Sequence, residues 1–96
     1  MLAELADAQF GDGNAAASAL TSAEAIEVAR RRTHRISEAH ACIIRARSLV
    51  RTGVDAARGE LPALLSRANY LIQVSGARVL DKPLAAAEAE VETALQ

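Results

Sequence analysis

Residues 29–51 read ARRRTHRISEAHACIIRARSLVR, with seven arginines and two histidines against one acid, Glu38. On a helical wheel centred on Ile36, the side chains of Ala25, Ala29, Ile43 and Val50 fall beside it. Ile26, Ala39, His40 and Ala46 widen the same stripe. Positions 25, 29, 32, 36, 39, 43, 46 and 50 alternate steps of four and three, the spacing of helices that pack lengthwise. Only Arg32 interrupts it. The stretch therefore predicts one long helix from about 22 to 52, closed by Gly53, and with it an all-α fold. A break at Thr33–Ser37, with Ser37 capping a second segment, is the less favoured reading. Arg47 lies near the stripe centre and Arg51 on its edge, whereas Arg30, Arg31, Arg35 and Arg45 scatter over the remaining surface.

Outward from this helix, the chain offers few breakers. Two prolines and five glycines in 96 residues leave long uninterrupted runs. On the N-terminal side, Gly11–Asn14 (GDGN) reads as a turn after a short helix at about 2–9. Thr21 and Glu24 have capping-box spacing at the expected start of the long helix. On the C-terminal side, Gly53–Pro62 connects to a helix at about 61–80, in which Leu61, Leu64, Leu65, Ala68, Leu71, Ile72, Ser75 and Val79 recur at helical spacing. Gly76 is placed to kink that helix or to allow close packing. Asp81 and Pro83 suit the cap and first turn of a last helix at about 82–95. The expected architecture is a single domain, a small bundle of three to four helices built on a long antiparallel hairpin.

Apolar residues make up 51% of the chain but aromatics only 2%, Phe10 and Tyr70. A core of Ala, Leu, Val and Ile suits closely packed helices, and Ala is the best helix former. Each buried Ala contributes little at roughly 25 cal/mol per Å², which favours oligomerisation or a partner. The formal net charge of −1 produces no global field toward nucleic acid. Charge is uneven, however. Residues 1–28 carry five acids and no base, and 81–96 carry Asp81, Glu88, Glu90 and Glu92 against Lys82. The central arginines are thus expected to pair with carboxylates of flanking helices, with Arg47 meeting Glu88 or Glu92. No apolar run approaches the roughly 20 residues of a membrane span. The N-terminus lacks the basic region of a signal peptide, and the one cysteine, Cys42, fits a reducing cytoplasm.

Reactive constellations are sparse. His34 and Glu38 are four apart, but one pair does not make a metal site, which needs three or four ligands. His40 lies on a helix, as in phosphotransfer bundles, without the Asp or Lys–Gly element that accompanies such a histidine. A P-loop, a Ser–His–Asp order and paired catalytic carboxylates are all missing. No catalytic, cofactor or metal role is therefore expected. The segment Ile43–Ala57 resembles the helix–turn portion of tetratricopeptide-type repeats, including small secretion chaperones built that way, through Arg45, Ser48, Leu49 and Gly53. The resemblance covers under a sixth of the chain, and Arg45 and Arg58 depart from the pattern.

These features point to a cytoplasmic protein–protein interaction module, such as an adaptor, chaperone or assembly subunit. It would act as a homo-oligomer or with a helical partner. The expected face is Ala29, Arg32, Ile36, Ala39, His40, Ile43, Arg47 and Val50. The alternative is a small nucleic-acid-binding regulator using Arg30, Arg31, Arg35 and Arg45. A phosphotransfer-type domain is third.

Overall fold

The computed structural model describes residues 2–96. Over them the chain forms α1 (Leu2–Gly11), α2 (Ala15–Arg32), α3 (Arg35–Ala57), α4 (Glu60–Ser75), a single 3-10 turn (Arg78–Leu80) and α5 (Asp81–Leu95). No strand occurs among the described residues, so the fold is all-α. Among the described residues, no helix is long and apolar enough to cross a membrane.

The expected long helix is broken into α2 and α3. A continuous helix over 22–52 would be about 46 Å long at 1.5 Å per residue, whereas the molecule measures 31 Å along its longest axis. The chain reverses at Thr33, which adopts a left-handed conformation (φ 57°, ψ 37°). The Thr33 N–H donates to Arg30 O at 3.2 Å and the His34 N–H to Ala29 O at 2.9 Å. This pair of bonds closes a helix end in the Schellman manner. The next helix starts at Arg35, not Ser37, and His34 at its cap makes no side-chain bond.

The other boundaries also differ from expectation. Asn14 Oδ1 accepts the Ala17 N–H at 3.2 Å, so α2 starts at Ala15. The Thr21–Glu24 pair lies inside it, because Asn14 already caps a run of strong helix formers. Gly53 leaves helical geometry (φ 158°, ψ 88°), and one further turn follows it to Ala57. Gly76 takes φ 72° and ends α4 at Ser75, so Val79 lies beyond the helix and 82% exposed. Asp81 sits in the first turn of α5, and the capping position is Leu80, with no side-chain bond.

Helices α2 and α3 run antiparallel, as two contacts show. Ser18 near the start of α2 meets Ser48 late in α3 at 3.0 Å. At the other end, Arg30 meets Glu38 at 2.9 Å. The same logic makes α3 and α4 antiparallel, since Glu38 bonds Arg67 and Arg45 bonds Glu60. Helix α3 therefore lies between α2 and α4, with α1 and α5 also packed on it. Ile43, Leu61, Leu71, Ile72 and Cys42 are fully buried at the centre, and Ala6, Phe10 and Ile44 form a smaller cluster.

The buried side chains of α2 are Ser18, Ala19, Ser22, Ala25, Ile26 and Ala29. All but Ile26 are small, which lets neighbouring backbones approach closely. Their hydroxyls need partners, because an unsatisfied buried polar group is costly. Ser18 Oγ donates to Ala6 O at 2.7 Å. Ser48 Oγ lies 3.0 Å from Ser18 Oγ and 2.8 Å from Ile44 O, so its one proton is shared between two acceptors.

Candidate functional site

The break at Thr33 regroups the arginines. Arg30, Arg31, Arg32, His34 and Arg35, which a single helix would scatter, instead crowd one corner at the junction of α2 and α3. All five are exposed. Arg31, Arg32 and Arg35 have no ion-pair partner among the described residues.

Beneath this corner sits Glu38, its side chain only 3% exposed. Arg67 Nε donates to Glu38 Oε2 at 2.7 Å and Arg67 Nη2 to Oε1 at 3.2 Å. Arg30 Nε donates to the same Oε2 at 2.9 Å. Burial alone would push this carboxyl up, but the bonds and charges of Arg67 and Arg30 outweigh it and hold the group below its usual value. The two guanidiniums are thereby fixed in place while remaining half-exposed. Both terminal nitrogens of Arg30, and Nη1 of Arg67, keep no protein partner among the described residues.

A cleft of about 390 Å³ opens above the clamp, lined by Arg30, Thr33, Arg35, Glu38, Arg67, Tyr70 and Leu71. The Arg67 guanidinium carbon stands 5.5 Å from the Tyr70 ring centroid, within cation–π reach. A second cleft shares Thr33 and Arg35 and continues to Ile36 and Ser75. Ile36, Tyr70 and Val74 are 52%, 56% and 46% exposed. Tyr70 and Val74 are one turn apart on α4 and so share a face. The end of the bundle is thus both cationic and apolar.

The residues of the sequence-derived interaction face do not form one exposed stripe. Ala29, Ala39 and Ile43 are buried in the protein's own interior. Ile36, the assumed stripe centre, is half exposed instead: it shares a face with Ala39 and Ile43 but sits in the first turn of α3, at the open end of the bundle. Arg32 borders a cavity of about 260 Å³ that Leu2, Ala3, Ala25, Val28 and His34 also line. His40 is partly buried, with Nε2 3.9 Å from Asp7 Oδ2. Val50 is half-buried beside α5.

Arg47 does pair with the last helix, but with neither expected acid. Its Nε donates to Glu90 Oε2 at 3.0 Å, and its guanidinium carbon stands 4.8 Å from the Phe10 ring centroid. Of the four arginines in the nucleic-acid alternative, Arg30, Arg31 and Arg35 share the corner. Arg45 is elsewhere, bonding both Glu60 oxygens and the Ala19 carbonyl, the last at 2.7 Å.

Glu38, Arg67 and Tyr70 were not among the interaction or nucleic-acid-contact residues expected from sequence. The one available signal is that Glu38 is the only acid in an arginine-rich stretch. Among the described residues, no three His, Cys, Asp or Glu side chains converge as a metal site would need. Burial pushes the Cys42 thiol up to about 12, and the Glu38 charge adds to the effect against Arg30 and Arg67. No protein-family model, curated protein or solved structure matches this chain.

Proposed function

We propose that the protein is a binding module rather than an enzyme, and that it recognises an acidic, amphipathic helical segment of a partner protein. The surface is the bundle end formed by the α2–α3 corner and the last turns of α4. One observation carries the reading. Ile36, Tyr70 and Val74 leave about half their surface in water, beside Arg35, which lines both clefts, and at the same bundle end as Arg31; neither arginine has an ion-pair partner among the described residues. An apolar centre with a cationic rim is the usual composition of a protein-binding patch. Apolar anchors one turn apart, such as Tyr70 and Val74, match the spacing of a docked helix.

A second copy could supply acids from its own surface, where Glu88 and Glu92 are exposed. A two-fold dimer could make such a contact twice only if both patches lay on one face, whereas α5 around Glu90 packs by Arg47 and Val50, well along α3 from the corner at its start. A distinct partner is therefore preferred to a closed dimer.

A photo-cross-linking residue placed at position 36 or 74 tests this reading, with position 12 in the acidic turn as control. The recovered segment, prepared separately, should bind the intact chain directly. Its binding should weaken strongly in Arg31→Glu and Arg35→Glu. Equal cross-linking from position 12, or a recovered segment that does not bind, would exclude this surface.

One observation favours a nucleic-acid reading as well. The corner gathers four arginines within six residues, and phosphate contact needs only a local basic patch. Affinity for duplex DNA or RNA that falls with salt and with Arg31→Glu would support it.

A further inference from the structure

The cleft above Glu38 differs from an ordinary basic surface, because two of its three guanidiniums are fixed from below. We propose that it is an oxyanion pocket for a phosphate dianion, either free or carried on an ester. Glu38 occupies Nε of Arg30, together with Nε and Nη2 of Arg67. Those bonds set the planes of both guanidiniums and leave their other nitrogens free. Arg35, exposed and without an ion-pair partner among the described residues, lines the same cleft from the third side. Three arginines against one carboxylate leave a surplus of positive charge for a dianion. Planar forks suit phosphate oxygens better than point charges do.

Two further groups fit the assignment. Thr33 lines the cleft, and its hydroxyl makes no hydrogen bond among the described residues. Tyr70 gives the cleft an aromatic wall, so a phosphate carried on a ring has a surface to lie against. The inference shares a surface with the partner-binding reading but does not rest on it, since the pocket is tested with small probes alone.

The test uses the intact chain. Tyr70 is the only tyrosine and there is no tryptophan, so intrinsic emission reports on this cleft alone. Inorganic phosphate and phenyl phosphate are titrated at constant ionic strength, because surface charge is screened by salt. Amide NMR shifts serve as a second readout. Saturation is expected with a dissociation constant below about 10 mM. Arg35→Gln should weaken binding about fivefold or more, by loss of a charge-assisted bond. Arg35→Lys should recover part of the loss. Arg31→Gln, which removes an equal charge outside the cleft, should change affinity less than about twofold.

The two probes separate the ligand's source. Tighter phenyl phosphate indicates an aryl ester against Tyr70, and equal or tighter inorganic phosphate indicates a free ion; both sustain the pocket if Arg35 is required. An unsaturated response overturns the proposal. So does an equal loss in Arg31→Gln and Arg35→Gln, which would reduce the effect to general surface charge. A failed titration leaves the cross-linking experiment unaffected, and the reverse holds too.

Discussion

Glu38 and Cys42 lie one turn apart on α3, both buried, and the charge of the carboxylate helps keep the thiol protonated. A thiol held up to about 12 has almost no thiolate at neutral pH, and the thiolate is the reactive form. Cys42 should therefore resist a thiol reagent in the native protein. Labelling should proceed only at the rate of opening and speed up steeply in denaturant. Fast stoichiometric labelling of the folded chain would show that the α3–α4 interior is open.

The Glu38 clamp should be asymmetric to mutation. Arg30 and Arg67 are half-exposed, so Glu38→Gln lets both turn into water and should cost about 1–3 kcal/mol. The double variant Arg30→Ala/Arg67→Ala strands a buried carboxylate and should cost about 3–5 kcal/mol. Chemical denaturation of the two variants at neutral pH checks the order.

The clamp also sets a pH dependence. The folded Glu38 carboxyl titrates below its ordinary value of 4.5. Its contribution to stability is fully present above that value and is lost as pH falls through the lower folded value. The stability difference between wild type and Glu38→Gln should thus be flat above about pH 5.5 and shrink in more acidic solution. A difference that grows on acidification would reverse the assignment.

Arg47 and Glu90 are each 30% exposed. A double-mutant cycle between them should give a coupling of about 0.5–1 kcal/mol. Cycles of Arg47 with Glu88 or Glu92 should give none. The sequence made an α3–α5 ion pair legible, because a basic helix was flanked by acidic ones. The choice among acids two residues apart was not legible, because successive positions on α5 rotate by 100° and the rotation of α5 against α3 is fixed by packing of Leu84, Ala87 and Val91.

Thr33 is the only non-glycine residue with positive φ among those described. A β-branched side chain is disfavoured there by about 1–2 kcal/mol, partly offset in a glycine by its greater freedom when unfolded. Thr33→Gly should therefore raise stability by about 0.5–1 kcal/mol, read as a higher melting temperature. This residue also explains the main misreading of the sequence. Helix ends are usually marked by Gly, Asn or Pro, and nothing of that kind stands between Ala29 and Val50. The heptad spacing ran through the break because Ala25 and Ala29 on α2, like Ala39 and Ile43 on α3, are buried on either side of it. The all-α class survived because composition and scarce breakers determine it without reference to any boundary. The clamp did not, because Glu38 and Arg67 are 29 residues apart and meet only through the antiparallel return of α4.

The small buried residues of α2 have an evolutionary consequence. Ser18, Ala19, Ser22, Ala25 and Ala29 leave little freedom for larger replacements, whereas their neighbours on the outer face are bound by no such limit. Lineages descended from a common ancestor would diverge in surface charge and loop length long before they diverged in this rhythm of small side chains. Kinship to this chain would therefore be carried by a pattern of sizes along one helix, even in a chain that had replaced every arginine at the corner.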